Sequence, residues 1–141
     1  MNLDIHLPLL PGWQSHAETL FDNELEVTHL EAYLADDGRQ SDKVLVDAYA
    51  SAMPEGSSAE QEALNSYNDI VGDEEEDPLI IWPFQGKDAF GYEAVCDDDS
   101  IMRVMCVETA PGVLLILNIV AQDDALFDET VVYVEKNLSV K

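Results

Sequence analysis

The sequence predicts an α+β domain in which antiparallel strands form a sheet closed by a C-terminal helix. Three patterns carry this reading. The run VLLILNIVA, residues 113–121, is apolar at nearly every position, as a strand is when both faces of its sheet are covered. The stretch GYEAVCDDDSIMRVMCVE, residues 91–108, reads as two strands around a polar tip. The tail DDALFDETVVYVEKNL repeats apolar residues at helical spacing.

In chain order, LDIHL alternates Leu3, Ile5 and Leu7 against polar positions, a first strand with one buried face. Pro11, Gly12 and Trp13 then turn the chain. ELEVTHLEAYLADDG fits both periods: Leu25 and Val27 alternate, while Val27, Leu30 and Leu34 also satisfy helical spacing. The strand reading is preferred. SDKVLVDAYASAM is expected to be a helix capped by Ser41, with Val44, Leu45, Ala48 and Ala52 on one side and Pro54 enforcing the stop. A second helix opens with Ser57 and Glu60 at capping-box spacing, carries Ala63, Leu64, Tyr67, Ile70 and Val71 on one stripe, and ends at Gly72.

The acidic run at 73–77 is expected to be a solvated connector. LIIWPF reads as a short strand kept near a sheet edge by Pro83, followed by a turn over QGKDAFG. A four-residue connection over Asp97 to Ser100 would pair Cys96 with Ile101, Val95 with Met102 and Ala94 with Arg103. In that register Cys96 and Cys106 lie on opposite faces and cannot form a disulfide. With TAPG as the next turn, Met105 would face Ile116, Val107 Leu114, and Arg103 Asn118. The last helix starts at Asp123 or Asp124 and buries Phe127, Val131, Val134 and Leu138.

One domain spanning residues 1–141 accounts for the length, which allows about two thirds of the unfolded surface to be buried. No internal repeat is evident. Thirty acidic residues against six basic ones give a formal charge of −24, which repels nucleic acid and anionic membranes and favours a basic partner. The N-terminus shows no basic segment followed by an uninterrupted apolar run, and no window reaches the roughly 18 apolar residues of a membrane span. The expected location is the cytoplasm.

Chemistry-bearing motifs are sparse. The two cysteines, ten residues apart, match neither a zinc ribbon nor a CxxC redox pair and are read as small buried hydrophobes. His6, His16 and His29 have no partner at zinc-ligand spacing and are read as surface or packing residues. There is no GxSxG elbow, Walker loop or GxGxxG after a strand. Neither enzymatic activity nor a cofactor or metal is therefore expected. Two acidic surfaces are candidates for a partner or a cation: Asp73, Glu74, Glu75, Glu76 and Asp77, and Asp97, Asp98 and Asp99. Neither has EF-hand spacing. Trp13 and Trp82 would be partner anchors if exposed and core residues otherwise.

With Pro11, Gly12 and Trp13 near the start, Gly91 through Ala94 before a long hairpin, and a strand-plus-helix ending near NLSV, the chain resembles the PsbP-like superfamily. That group holds the extrinsic photosystem II protein, Mog-type Ran-binding proteins and DcrB-type bacterial proteins. The resemblance implies an α/β/α sandwich around a twisted, mainly antiparallel sheet, a bacterial branch, and a binding or assembly role without catalytic apparatus. The chain departs from DcrB-type proteins in lacking a lipoprotein cysteine. The expected function is a non-catalytic protein-interaction domain. Its alternatives are an acidic, immunity-type inhibitor of a basic toxin or nuclease, and a carboxylate-dependent cation-binding protein.

Overall fold

The computed structural model describes residues 3–22, 25–34, 43–72, 79–96 and 99–140. Its centre is a seven-stranded antiparallel sheet in the order β2-β3-β4-β8-β7-β6-β5. The strands are β2 (Trp13–Asp22), β3 (Leu25–Leu34), β4 (Val44–Ala52), β5 (Ile80–Phe84), β6 (Lys87–Val95), β7 (Ile101–Ala110) and β8 (Val113–Ala121). Two helices, α1 (Ala59–Ile70) and α2 (Asp124–Asn137), cover opposite faces, giving the α/β/α arrangement with its helix near the C-terminus. The short β1 (Ile5–His6) pairs with β9 (Ser139–Val140), tying the described start of the chain to its end.

The fully apolar strand β8 stands in the middle of the sheet, which explains its composition. Leu115, Leu117 and Ile119 point to the main core with Val44, Val46, Ala48 and Met105, beneath Phe127 and Val134 of α2 and Leu138 just after it. Leu114 and Ile116 point the other way. There Leu114 and Cys106 meet Ala59 and Ala63 of α1, and Tyr67 packs edge-on against Tyr92 with ring centroids 5.4 Å apart. Leu3, Ile5 and Leu7 pack on the α2 side as their alternation predicts, although only Ile5 and His6 form a ladder.

The α2 region matches the sequence reading. Asp123 is the N-cap, accepting a hydrogen bond from the Leu126 amide at 2.8 Å, and Phe127, Thr130 and Val134 are buried. The segment 25–34 is a strand. β5 lies at the sheet edge, where the missing N–H of Pro83 is tolerated.

Several expectations are corrected. SDKVLVDAYASAM is not a helix: residues 44–52 are β4, and Ser41 lies outside the described residues. Val44, Val46, Ala48 and Ala50 are all buried, a period of two that competes with the helical pattern. Nine-residue ladders to β8 and eight-residue ladders to β3 satisfy its backbone on both sides, and that decides the outcome. Residues 13–22, left without an element by the sequence, form β2. In QGKDAFG only Gln85 and Gly86 turn, with φ of 52° and 81°, the doubly positive geometry of a two-residue hairpin. The cap of α1 is Ser58, whose Oγ accepts from the Gln61 amide at 3.1 Å, and not Ser57. Ile70, expected in the α1 stripe, is exposed.

Both hairpin registers shift by one residue. Val95 faces Ile101, Ala94 faces Met102 and Glu93 faces Arg103, so the connection has five residues, 96–100. The slip exchanges faces: Tyr92 shares a side with Cys106 and Val104, not with Met105. Between β7 and β8 the loop is only Pro111 and Gly112, and a bulge between Glu108 and Ala110 absorbs the extra residue. Met105 therefore faces Leu117, Val107 faces Leu115 and Arg103 faces Ile119.

Candidate functional site

α1 packs against β6 and β7, and among the described residues no helix lies over β2 and β3 on that face. Polar side chains gather there by simple strand alternation. In β3, Leu30 and Ala32 turn to the core, so His29 and Glu31 must turn to the other side. Register supplies their neighbours. Glu18 of β2 and Tyr49 of β4 flank His29, while His16 and Asp47 flank Glu31. Asn118 of β8 stands opposite Asp47.

The result is an imidazole held between carboxylates. His29 Nε2 lies 2.9 Å from Asp47 Oδ1, and His29 Nδ1 lies 3.4 Å from Glu18 Oε1. The ring stacks on Tyr49 with centroids 4.3 Å apart and planes 3° from parallel. His29 is 8% exposed. Donor atoms of His29, Glu31 and Asp47 lie within 4.8 Å of one another, the one such His/Cys/Asp/Glu group among the described residues. Asn118 Oδ1 is shut off from solvent with no hydrogen-bond partner among the described residues.

Three carboxylates therefore converge on one imidazole, and among the described residues no Lys or Arg ion pair reaches them; Arg103 is engaged with Glu93 elsewhere. The field is felt at Tyr49, whose hydroxyl is raised above its ordinary range first by burial and then by Asp47, Glu31 and Glu18. Chemically, this is a donor set for a positively charged group. Beyond Tyr49 a groove of about 250 Å³ opens between α1 and the sheet, lined by Leu25, Val27, Leu114, Ile116 and Glu62.

The residues singled out from sequence lie elsewhere. Asp73, Glu74, Glu75, Glu76, Asp77, Asp97 and Asp98 are outside the described residues. Asp99 is exposed at the β6–β7 tip with φ of 67°, its amide donating to the Cys96 carbonyl at 2.9 Å. No disulfide joins Cys96 and Cys106, and Cys106 is buried under α1. His6 and His16 are exposed. Trp13 and Trp82 are half-buried against the main core, and Trp82 carries the Arg103 guanidinium 4.2 Å above its ring.

By sequence His29 reads as a surface or packing residue, and no motif marks Glu18, Glu31, Asp47 or Asn118. A usable signal existed. Alternation in LEVTHLEAYL puts His29 and Glu31 on one face, and strand alternation in VLVDAYA would have placed Asp47 opposite the buried valines.

The chain finds no significant match among family models, curated proteins or solved structures. Among the described residues, no helix is long and apolar enough to cross a membrane.

Proposed function

We propose that the chain is a non-catalytic protein-interaction domain that pairs an extended, basic segment of a partner protein with the edge of β2. One observation carries the reading: β2 is an edge strand of ten residues, and every residue from Gln14 to Phe21 is exposed. An open edge presents a row of unused backbone donors and acceptors, the template on which a further strand adds. Edges are usually guarded by proline, lysine or a bulge. β5 has Pro83, whereas β2 pairs with β3 without a bulge and contains neither proline nor lysine.

The occupant is defined by charge and apolar anchoring. A net charge of −24 favours a cationic segment. Phe21, 74% exposed, and Leu20 beside it offer an apolar foothold at the end of the strand. The PsbP-like resemblance, a group of binding and assembly factors, supports the same reading. A basic toxin or nuclease held by an acidic inhibitor is its narrower form.

Affinity capture with the tagged protein and its Phe21→Lys variant tests this. A partner retained by the wild type, released by salt and lost from the variant supports it. A partner held equally by both, or insensitive to salt, contradicts it.

A further inference from the structure

We propose that His29, Glu31 and Asp47 form a binding site for one first-row divalent cation of the zinc or manganese type. The inference is independent of the partner-binding reading. The three ligands come from β3 and β4, with Glu18 of β2 and Asn118 of β8 beside them, and register rather than loop geometry sets the site.

The arrangement around His29 is what points to a metal. A metal-bound imidazole usually donates its second N–H to a carboxylate, which fixes the tautomer and aims the free lone pair. Glu18 stands at Nδ1 in that position, 3.4 Å away. Stacking on Tyr49 holds the ring plane. Nε2 then faces Asp47, with a Glu31 oxygen within the same 4.8 Å cluster. On binding, the ion would sit between Nε2 and Asp47 Oδ1 in place of their direct contact, and any proton held by a ligand atom leaves to solvent. A second observation comes from β8. Asn118 Oδ1 is buried with no partner among the described residues and belongs to the residue directly across from Asp47 on this face. An orphaned buried acceptor calls for a donor, and a water on the ion would provide one.

The donor set selects the ion. One imidazole nitrogen and two carboxylate oxygens leave a position for water, as in open zinc sites, and the nitrogen disfavours calcium and magnesium. Among the described residues no lysine or arginine pairs with these carboxylates, and a dication would neutralise them.

Calorimetric titration of chelator-stripped protein with ZnCl2 and with MnCl2, in physiological salt and excess MgCl2, tests the site. The excess magnesium occupies the diffuse acidic surface. One equivalent of zinc or manganese is expected to bind, with affinity falling at least about tenfold in Glu31→Gln and in His29→Gln. Glu108→Gln, an exposed carboxylate outside the cluster, is expected to bind as the wild type does. Glu31 has no ion pair to lose among the described residues, so its variant keeps the fold even where His29→Gln does not, and circular dichroism verifies this. Binding without one-to-one stoichiometry, binding abolished by magnesium, or equal affinity in folded Glu31→Gln would overturn the proposal.

Discussion

Gly91 of β6 lies so close to Val104 of β7 that a Cβ built on it would collide with the Val104 carbonyl, with the Met105 Cα only 3.0 Å away. Both obstacles are backbone of a strand ladder, so neither can swing aside. Gly91→Ala is expected to destabilise the protein by roughly 3 kcal/mol through forced displacement of the β6–β7 pair. Urea unfolding checks this, and a loss under about 1 kcal/mol would show that the ladder yields easily.

The two adjacent serines before α1 separate by role. Ser58 accepts a hydrogen bond from the Gln61 amide, whereas the buried Ser57 Oγ has no partner among the described residues. Ser58→Ala should cost about 1 kcal/mol of stability. Ser57→Ala should cost nothing or stabilise slightly, because it removes a buried unsatisfied hydroxyl. The reverse order in thermal unfolding would restore Ser57 as the cap.

How far the sequence could be read follows from which elements have a one-sided environment. β8 and α2 were legible because the first is buried on both faces and the second carries one stripe with Asp123 before it. β2 was not, since a strand exposed from Gln14 to Phe21 shows no alternation. β4 misled because Val44, Leu45, Ala48 and Ala52 also fall at helical spacing in an alanine-rich segment, although the face it buries is Val44, Val46, Ala48 and Ala50. The one-residue register errors came from the bulge near Thr109 and from the five-residue hairpin connection, neither of which leaves a strong local mark. The cluster around His29 depends on four strands finding their register, and no spacing along one segment encodes it. The acidic runs attract attention by composition alone.

Alkaline pH should weaken the fold before it would titrate the folded thiol. Burial, with Glu62 adding to it, pushes Cys106 from 9.0 up to about 12. The unfolded chain ionises first, so stability is complete below pH 9 and is lost as pH rises from there towards 12. This contribution is on the order of 4 kcal/mol at 1.36 kcal/mol per pH unit. Tyr92, raised chiefly by burial, and Tyr49 act in the same direction. Urea midpoints measured across this range should fall for the wild type and fall less for Cys106→Ala. Equal pH dependence in both proteins would remove Cys106 from the account.

Arg103 carries more than charge. Its Nε and one terminal nitrogen lie 3.3 and 3.1 Å from Glu93 Oε2, while the guanidinium covers Trp82 and reaches Phe127 of α2. Arg103→Lys keeps the charge but loses the planar stack and should cost about 1 kcal/mol. Arg103→Ala also loses packing of the stem and should cost about 2 kcal/mol. Chemical denaturation of the two variants measures the difference, and equal losses would mean that only the charge matters.

The central claim, that a partner docks along β2, is tested most directly by amide hydrogen exchange on the protein alone and on the complex recovered by salt-sensitive capture. The account predicts new protection at alternate amides between Gln14 and Phe21, those pointing away from β3, with little change at β5. Protection confined to β5 or α1, with β2 exchanging as in the free protein, would contradict it.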